Sequence, residues 1–226
     1  MVRWNSRVLL AEGLGSALLL IGVVGSGIMA AKLSPDDIGL QLLQNAAATA
    51  GVLIAIIATF STISADINPA VTIAAWVLGH RAGRDVAPIV AVQVAGAVVG
   101  AILANLMFNL DAISWSGTTR TGANLWLGEV VATVGLLLVV FALIRTGRES
   151  HLPYVVAAYI GGAYYFTSST SFANPAVTVG RTLSNTFTGI EPSSAPMFVL
   201  MQLVGVCIAV VLVRTLFPTS AEPSET

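Results

Sequence analysis

Asn68-Pro69-Ala70-Val71-Thr72 is repeated as Asn174-Pro175-Ala176-Val177-Thr178, 106 positions later in a chain of 226 residues. Each copy reads as the start of a helix. Asparagine is a favoured N-cap, and proline is tolerated in the first turn, where its missing N–H costs nothing. The helical pattern after each copy is short, running from Asn68 to about Gly79 and from Asn174 to about Ser184. Such a segment is roughly 12 residues, or about 18 Å, half the thickness of a bilayer. No run of charge separates either copy from the apolar stretch before it. The spacing therefore predicts two segments that dip into a membrane and return. Irregular backbone at that depth survives only where it is buried or lines a wet cavity.

The rest of the chain supplies the membrane context. Hydrophobic residues make up 56% and charged residues 9%, against about 25% charge in an ordinary soluble domain. The apolar residues fall into six blocks, Val8–Ala31, Ile38–Ala65, Val86–Leu110, Ala123–Ile144, Leu152–Gly180 and Pro192–Val213. Each reaches the roughly 20 residues needed to cross a bilayer core. The only charges inside them are Glu12 and Glu129. The first block is too long for a signal peptide and carries Glu12, so it is read as a retained helix. Pro218–Thr226 reads as a short polar tail. With both termini in the cytoplasm, seven of the ten basic residues face inward: Arg3, Arg7, Arg81, Arg84, Arg145, Arg148 and Arg214. Lys32, Arg120 and Arg181 face outward, and this bias follows the positive-inside rule. Cys207 is the one cysteine. It permits no intrachain disulfide and is expected to pack mid-span.

The two halves share an order: glutamate (Glu12, Glu129), then the Asn-Pro-Ala segment, then Gln-x-x-Gly (Gln93 to Gly96, Gln202 to Gly205). Each half holds three spans, so the second half enters the membrane upside down. The expected fold is all-α: six spans plus two re-entrant half-helices in one channel domain, with repeats at about 8–110 and 123–217. Inversion brings the two half-helix N-termini together at mid-depth. Their free N–H groups and partial positive charges disfavour cations and protons. The amides of Asn68 and Asn174 can donate to a passing oxygen. Small residues four apart, such as Gly96 with Gly100 and Ala158 with Gly162, mark close helix approach.

On these residues the chain resembles the major intrinsic protein family of aquaporins and aquaglyceroporins. The resemblance runs over Ala11 to Gly15, Asn68 to Trp76, Gln93 to Gly100, Gly128-Glu129 and Asn174 to Ala176. It implies one pore per subunit, four subunits per assembly, and glutamates at 12 and 129 that accept hydrogen bonds from the re-entrant loops. It places the central pore motif at Asn68, Pro69, Ala70, Asn174, Pro175 and Ala176. Ungapped counting puts the family's selectivity filter at Ala48 (Thr49 if the count slips by one), Gly162, Ser171 and Val177. Val177 stands where the family usually has arginine. The expected filter is wide and weakly polar, unless Phe172, Tyr159 or Tyr165 refills it. Arg181, one turn beyond Val177, is expected in the outer vestibule, with an ion pair to Glu191 or Asp111 as the alternative. Asp66 is expected to cap its loop, and His80 and His151 to be plain surface residues.

A bacterial branch of the family associated with arsenic resistance is similar in lacking the filter arginine. That likeness implies passage of arsenous acid and methylated arsenicals beside water and glycerol-like polyols. The expected partners are membrane lipid and small neutral solutes, in a bacterial inner membrane, as a homotetramer. No nucleic-acid partner, cofactor, metal site or enzymatic activity is expected. The alternatives are a water-selective channel, an ion-coupled transporter, for which only Glu12 and Glu129 are candidate relays, and a non-conducting scaffold.

Overall fold

The computed structural model describes residues 5–218; Arg3 and most of the polar tail lie outside them. Eight α-helices follow in order: α1 Ser6–Leu33, α2 Ile38–Phe60, α3 Pro69–Val77, α4 Gly83–Met107, α5 Ala123–Arg145, α6 Leu152–Phe166, α7 Pro175–Arg181 and α8 Ala195–Leu216. Five of them (α1, α2, α4, α5 and α8) are long and apolar enough to cross a membrane. The expected block Leu152–Gly180 breaks into three parts. α6 has 15 residues, an irregular stretch follows, and α7 has 7. The short α6 sets a register that continuous counting misses.

Both half-helices are shorter than the sequence suggests. α3 has 9 residues and ends where Gly79 takes a positive φ of 82°. His80 N–H then bonds back to the Ala75 carbonyl at 2.8 Å, the closing bond of a glycine-terminated helix. α7 tightens after Val179. Thr182 N–H bonds the Val179 carbonyl and Leu183 N–H the Gly180 carbonyl, the three-residue spacing common at helix ends.

The two halves are built alike. α1 packs along α4, and α5 along α8. Between helices in lipid, dispersion and close backbone approach replace the hydrophobic drive. Accordingly a Cβ placed on Gly96 would lie 2.1 Å from the Gly13 carbonyl oxygen, and one on Gly100 2.3 Å from that of Ala17. A Cβ on Gly205 would meet the Thr133 side chain at 2.8 Å. α3 and α7 wedge between these pairs and touch each other. Cys207 is exposed on α8 rather than packed inside the subunit. Its neighbours Val206 and Ala209 take the inward face.

Candidate functional site

The tips of α3 and α7 meet. Each tip is capped by its own asparagine, whose Oδ1 accepts from the backbone N–H two residues on: Ala70 at 2.9 Å and Ala176 at 3.0 Å. Each Nδ2 reaches across to the other half. Asn68 donates to the Ala173 carbonyl at 2.7 Å, and Asn174 to the Ile67 carbonyl at 2.9 Å. Ile67 and Ala173 hold φ values of 50° and 48°, an unfavourable region for residues with a Cβ. One N–H of each amide is thus committed. Among the described residues the second N–H of each has no partner, and both asparagines line the cavity described below.

Two buried carboxylates hold the strained loops. Glu12 accepts from Asp66 N–H (2.9 Å), Ile67 N–H (2.7 Å), Gln93 Nε2 (2.8 Å) and the Ser64 hydroxyl. Glu129 accepts from Phe172 N–H (2.9 Å), Ala173 N–H (3.0 Å) and Gln202 Nε2 (2.6 Å). Each glutamine also donates to a threonine of the half-helix, Thr72 or Thr178. Both glutamates are fully buried, and their oxygens are occupied by donors from the chain. This geometry fits loop support, since every carboxylate oxygen already accepts from the chain.

One cavity of ≈ 440 Å³ extends from Asp66, His80 and Arg81, past Asn68 and Asn174, to Arg181. Asp66 pairs with Arg81 at 2.7 Å and accepts from the Thr72 hydroxyl at 2.9 Å, so it ties the loop while facing the cavity. His80 is exposed but stacks on Phe141, 5.8 Å between ring centroids, and lines the cavity mouth. Partial burial, then the charge of Arg145, pulls its pKa below the ordinary imidazole value. His151 is exposed beside Ser150 and takes no part in the cavity.

At the other end the structure revises two filter positions. Thr49, not Ala48, faces the cavity. Gly162 is exposed and does not line it; Ile160 and Tyr164 do. Gly162 lies two residues from each of them, about 200° around the helix, so it points to the opposite side. Ser171 and Val177 line the cavity. Of the aromatics expected to refill the space, Phe172 lines it. Tyr159 donates toward the Val131 and Ala132 carbonyls of α5, and Tyr165 reaches Gly39 from the exposed face. The aromatic that sequence counting missed is Tyr164, whose hydroxyl lies 3.1 Å from Thr49 Oγ1. A signal was present: Val156, Ile160 and Tyr164 recur at four-residue spacing, one helical face. Tyr164→Ala should therefore raise uptake of the larger polyols severalfold in proteoliposomes, and Gly162→Ala should leave it unchanged.

Arg181 is 2% exposed and lines the cavity. Its Nε donates to the Thr188 carbonyl, and its guanidinium carbon sits 3.4 Å from the Phe172 ring centroid. The alternative ion pairs are not formed: Glu191 accepts from Thr119 at 2.8 Å, and among the described residues Arg181 has no carboxylate partner.

The sequence model of the major intrinsic protein family matches residues 2–170. The chain is 45% identical over 212 residues to aquaglyceroporin AqpS of Rhizobium meliloti (strain 1021), covering 93% of this chain and 90% of that protein. It is 26% identical over 223 residues to aquaporin AqpM of Methanothermobacter marburgensis, covering 89% of each. In three dimensions it resembles the aquaglyceroporin from Plasmodium falciparum with a TM-score of 0.68 at 19% identity, over 95% of this chain and 96% of that one. This last likeness concerns the fold.

Proposed function

Because the chain belongs to the major intrinsic protein family, we propose that it is a passive membrane channel for small uncharged, hydroxyl-bearing solutes. Water, glycerol-like polyols and arsenous acid form the expected class, with methylated arsenicals at its upper size limit. The observation that carries this reading is the meeting of two amide-capped helix tips on one cavity. A solute oxygen there meets neutral N–H donors and the positive ends of two short helices. A cation meets the same field as a barrier. A chain of waters is oriented oppositely on either side, which interrupts proton relay.

The outer constriction in this reading is Thr49, Tyr164, Ser171 and Val177. Val177 leaves it without the arginine that would narrow it and compete for solute oxygens. Tyr164 is the feature that favours the water-selective alternative, because its ring occupies part of the opened space. We further infer a homotetramer in a bacterial inner membrane, with both termini cytoplasmic. The name of the AqpS relative, an aquaglyceroporin, supports the water and glycerol-type part of this class.

The test is stopped-flow reswelling of proteoliposomes with water, glycerol, larger polyols and arsenous acid, for wild type and Val177→Arg. Restoring arginine should slow the larger solutes roughly tenfold, the effect of about 1.4 kcal/mol of added barrier. Water should change less. A Val177→Arg channel that passes the larger solutes as fast as wild type contradicts the open constriction. A wild type that passes water alone supports the water-selective alternative.

A further inference from the structure

The loops that lead into the two half-helices are held alike but differ at one position. Two residues before each asparagine stand Asp66 and Phe172. Asp66 N–H bonds Glu12 and Phe172 N–H bonds Glu129, each at 2.9 Å. Both residues line the cavity, Asp66 at the end opposite Arg181 and Phe172 beside it. The second loop keeps its shape with a phenyl ring at this place. Support of the loop therefore does not by itself call for a carboxylate in the first.

The Asp66 carboxylate is held from one side. Arg81 at 2.7 Å and the Thr72 hydroxyl at 2.9 Å both contact Oδ2. Each holder is itself fixed: Thr72 Oγ1 accepts from Gln93 Nε2 at 3.0 Å, and Arg81 also donates to the Ser64 hydroxyl at 3.2 Å. Oδ1 takes neither contact. The side chain is 15% exposed and lines the cavity, which leaves Oδ1 as the oxygen that a solute can reach. A carboxylate has about four acceptor sites, and a partly buried one is completed by whatever donor stands beside it. Arg81 offsets the charge, so this oxygen draws O–H and N–H groups without making the mouth a trap for cations. Glu149 lines the same end, but it is exposed and served by bulk water.

We propose that Asp66 Oδ1 is a solute-hydroxyl acceptor at the inner end of the passage, and that it selects solutes rich in hydrogen-bond donors. Arg81 and Thr72 are positioning residues that hold Oδ2 and turn Oδ1 toward the cavity. A polyol or arsenous acid donates an O–H here and then accepts from the asparagine amides at mid-depth. A solute of the same size with a carbonyl in place of a hydroxyl makes the second contact but loses part of the first. This rests on the neutral-solute channel reading above.

The experiment compares uptake of glycerol and of monomeric dihydroxyacetone, which carries one donor fewer at similar size, by full-length protein in liposomes. The readout is the ratio of the two rates, corrected for protein-free vesicles. Wild type should favour glycerol. In Asp66→Asn the amide oxygen should turn to Arg81 and Thr72, which places N–H groups on the cavity and exchanges an acceptor for a donor. The ratio should then fall roughly three- to tenfold, the factor expected for one net hydrogen bond. Asp66→Ala, which removes the acceptor and adds no donor, should lower the ratio by a smaller factor, and it decides the matter if Asp66→Asn does not fold. Arg81→Gln breaks the same ion pair but keeps the carboxylate on Thr72, so it should retain the wild-type ratio. A wild-type ratio in folded Asp66→Asn or Asp66→Ala overturns the proposal and leaves the channel reading intact. An equal loss in Arg81→Gln also overturns it, because the ion pair rather than the acceptor would then set the preference. A wild type that passes no neutral solute overturns both readings.

Discussion

Glu129→Ala is expected to lower the melting temperature of the detergent-solubilised protein on the order of 10 °C and to abolish solute uptake. The carboxylate receives Phe172 N–H, Ala173 N–H and Gln202 Nε2, and it is fully buried. Alanine leaves three donors without an acceptor. At about 1–3 kcal/mol for each buried unsatisfied group, the loss is several kcal/mol. The effect on flux goes further than the effect on stability. Ala173 holds a positive φ, and its carbonyl receives the Asn68 amide from the other half. Release of that loop lets the two helix tips separate. Glu129→Gln keeps one acceptor oxygen and should fall between wild type and alanine. A Glu129→Ala protein that melts and conducts as wild type does would contradict the assigned role. Glu12 sits in the matching network, so Glu12→Ala should behave alike.

Gly96→Leu should be the most damaging change in the lipid-facing helices. Even one methyl at this position would lie 2.1 Å from the Gly13 backbone oxygen, and the neighbouring Gly100 is nearly as close to α1. The obstacle is main chain, which no rotamer change relieves. α1 and α4 would have to move apart, at a cost above the ~1–3 kcal/mol usual for overpacking. Glu12 and Gln93 sit on those two helices, so their 2.8 Å hydrogen bond would stretch as well. The contrast is Gly162→Ala. Its new methyl would come no nearer than 3.7 Å to Phe166, and alanine is the better helix former by about 1 kcal/mol. Thermal unfolding should show Gly96→Leu strongly destabilised and Gly162→Ala equal to wild type or slightly more stable. Equal losses for the two would mean that the close α1–α4 contact does not set stability.

These glycines also show how far the sequence could be read. The repeated Asn-Pro-Ala-Val-Thr, the paired glutamates and the Gln-x-x-Gly segments are tied to local geometry that residue type dictates: a cap, a buried acceptor, a close approach. Their partners follow almost without structural information, because an inverted repeat brings equivalent groups together. The filter was less legible. Counting back from Asn174 assumes the family's spacing without gaps, yet the segment it crosses is irregular: Thr170, Ser171 and Ala173 all take positive φ values. The residues between α6 and α7 therefore do not advance a helical face, and the count arrives at Gly162 instead of Tyr164. On α2, a helix without a break, the uncertainty was a single residue, and Thr49 proved to be the lining one.

Arg181 was placed in the outer vestibule by its one-turn spacing from Val177, but its surroundings were hidden. Thr188 and Phe172 reach it through a loop and a strained turn, neither of which has a sequence period. Asp66 shows the same limit from the other direction. Its loop-tying role followed from residue type, while its 2.7 Å pairing with Arg81 depends on where the chain after α3 returns. Cys207, expected to pack mid-span, faces outward because α8 turns Val206 and Ala209 toward the core.

The most direct test of a passive passage through the two asparagine tips is reswelling of wild-type proteoliposomes in glycerol and in arsenous acid, with and without imposed proton and sodium gradients. Uptake well above that of protein-free vesicles, at the same rate whichever gradient is present, is the predicted result. Uptake no faster than in empty vesicles, or uptake that follows either gradient, would contradict it.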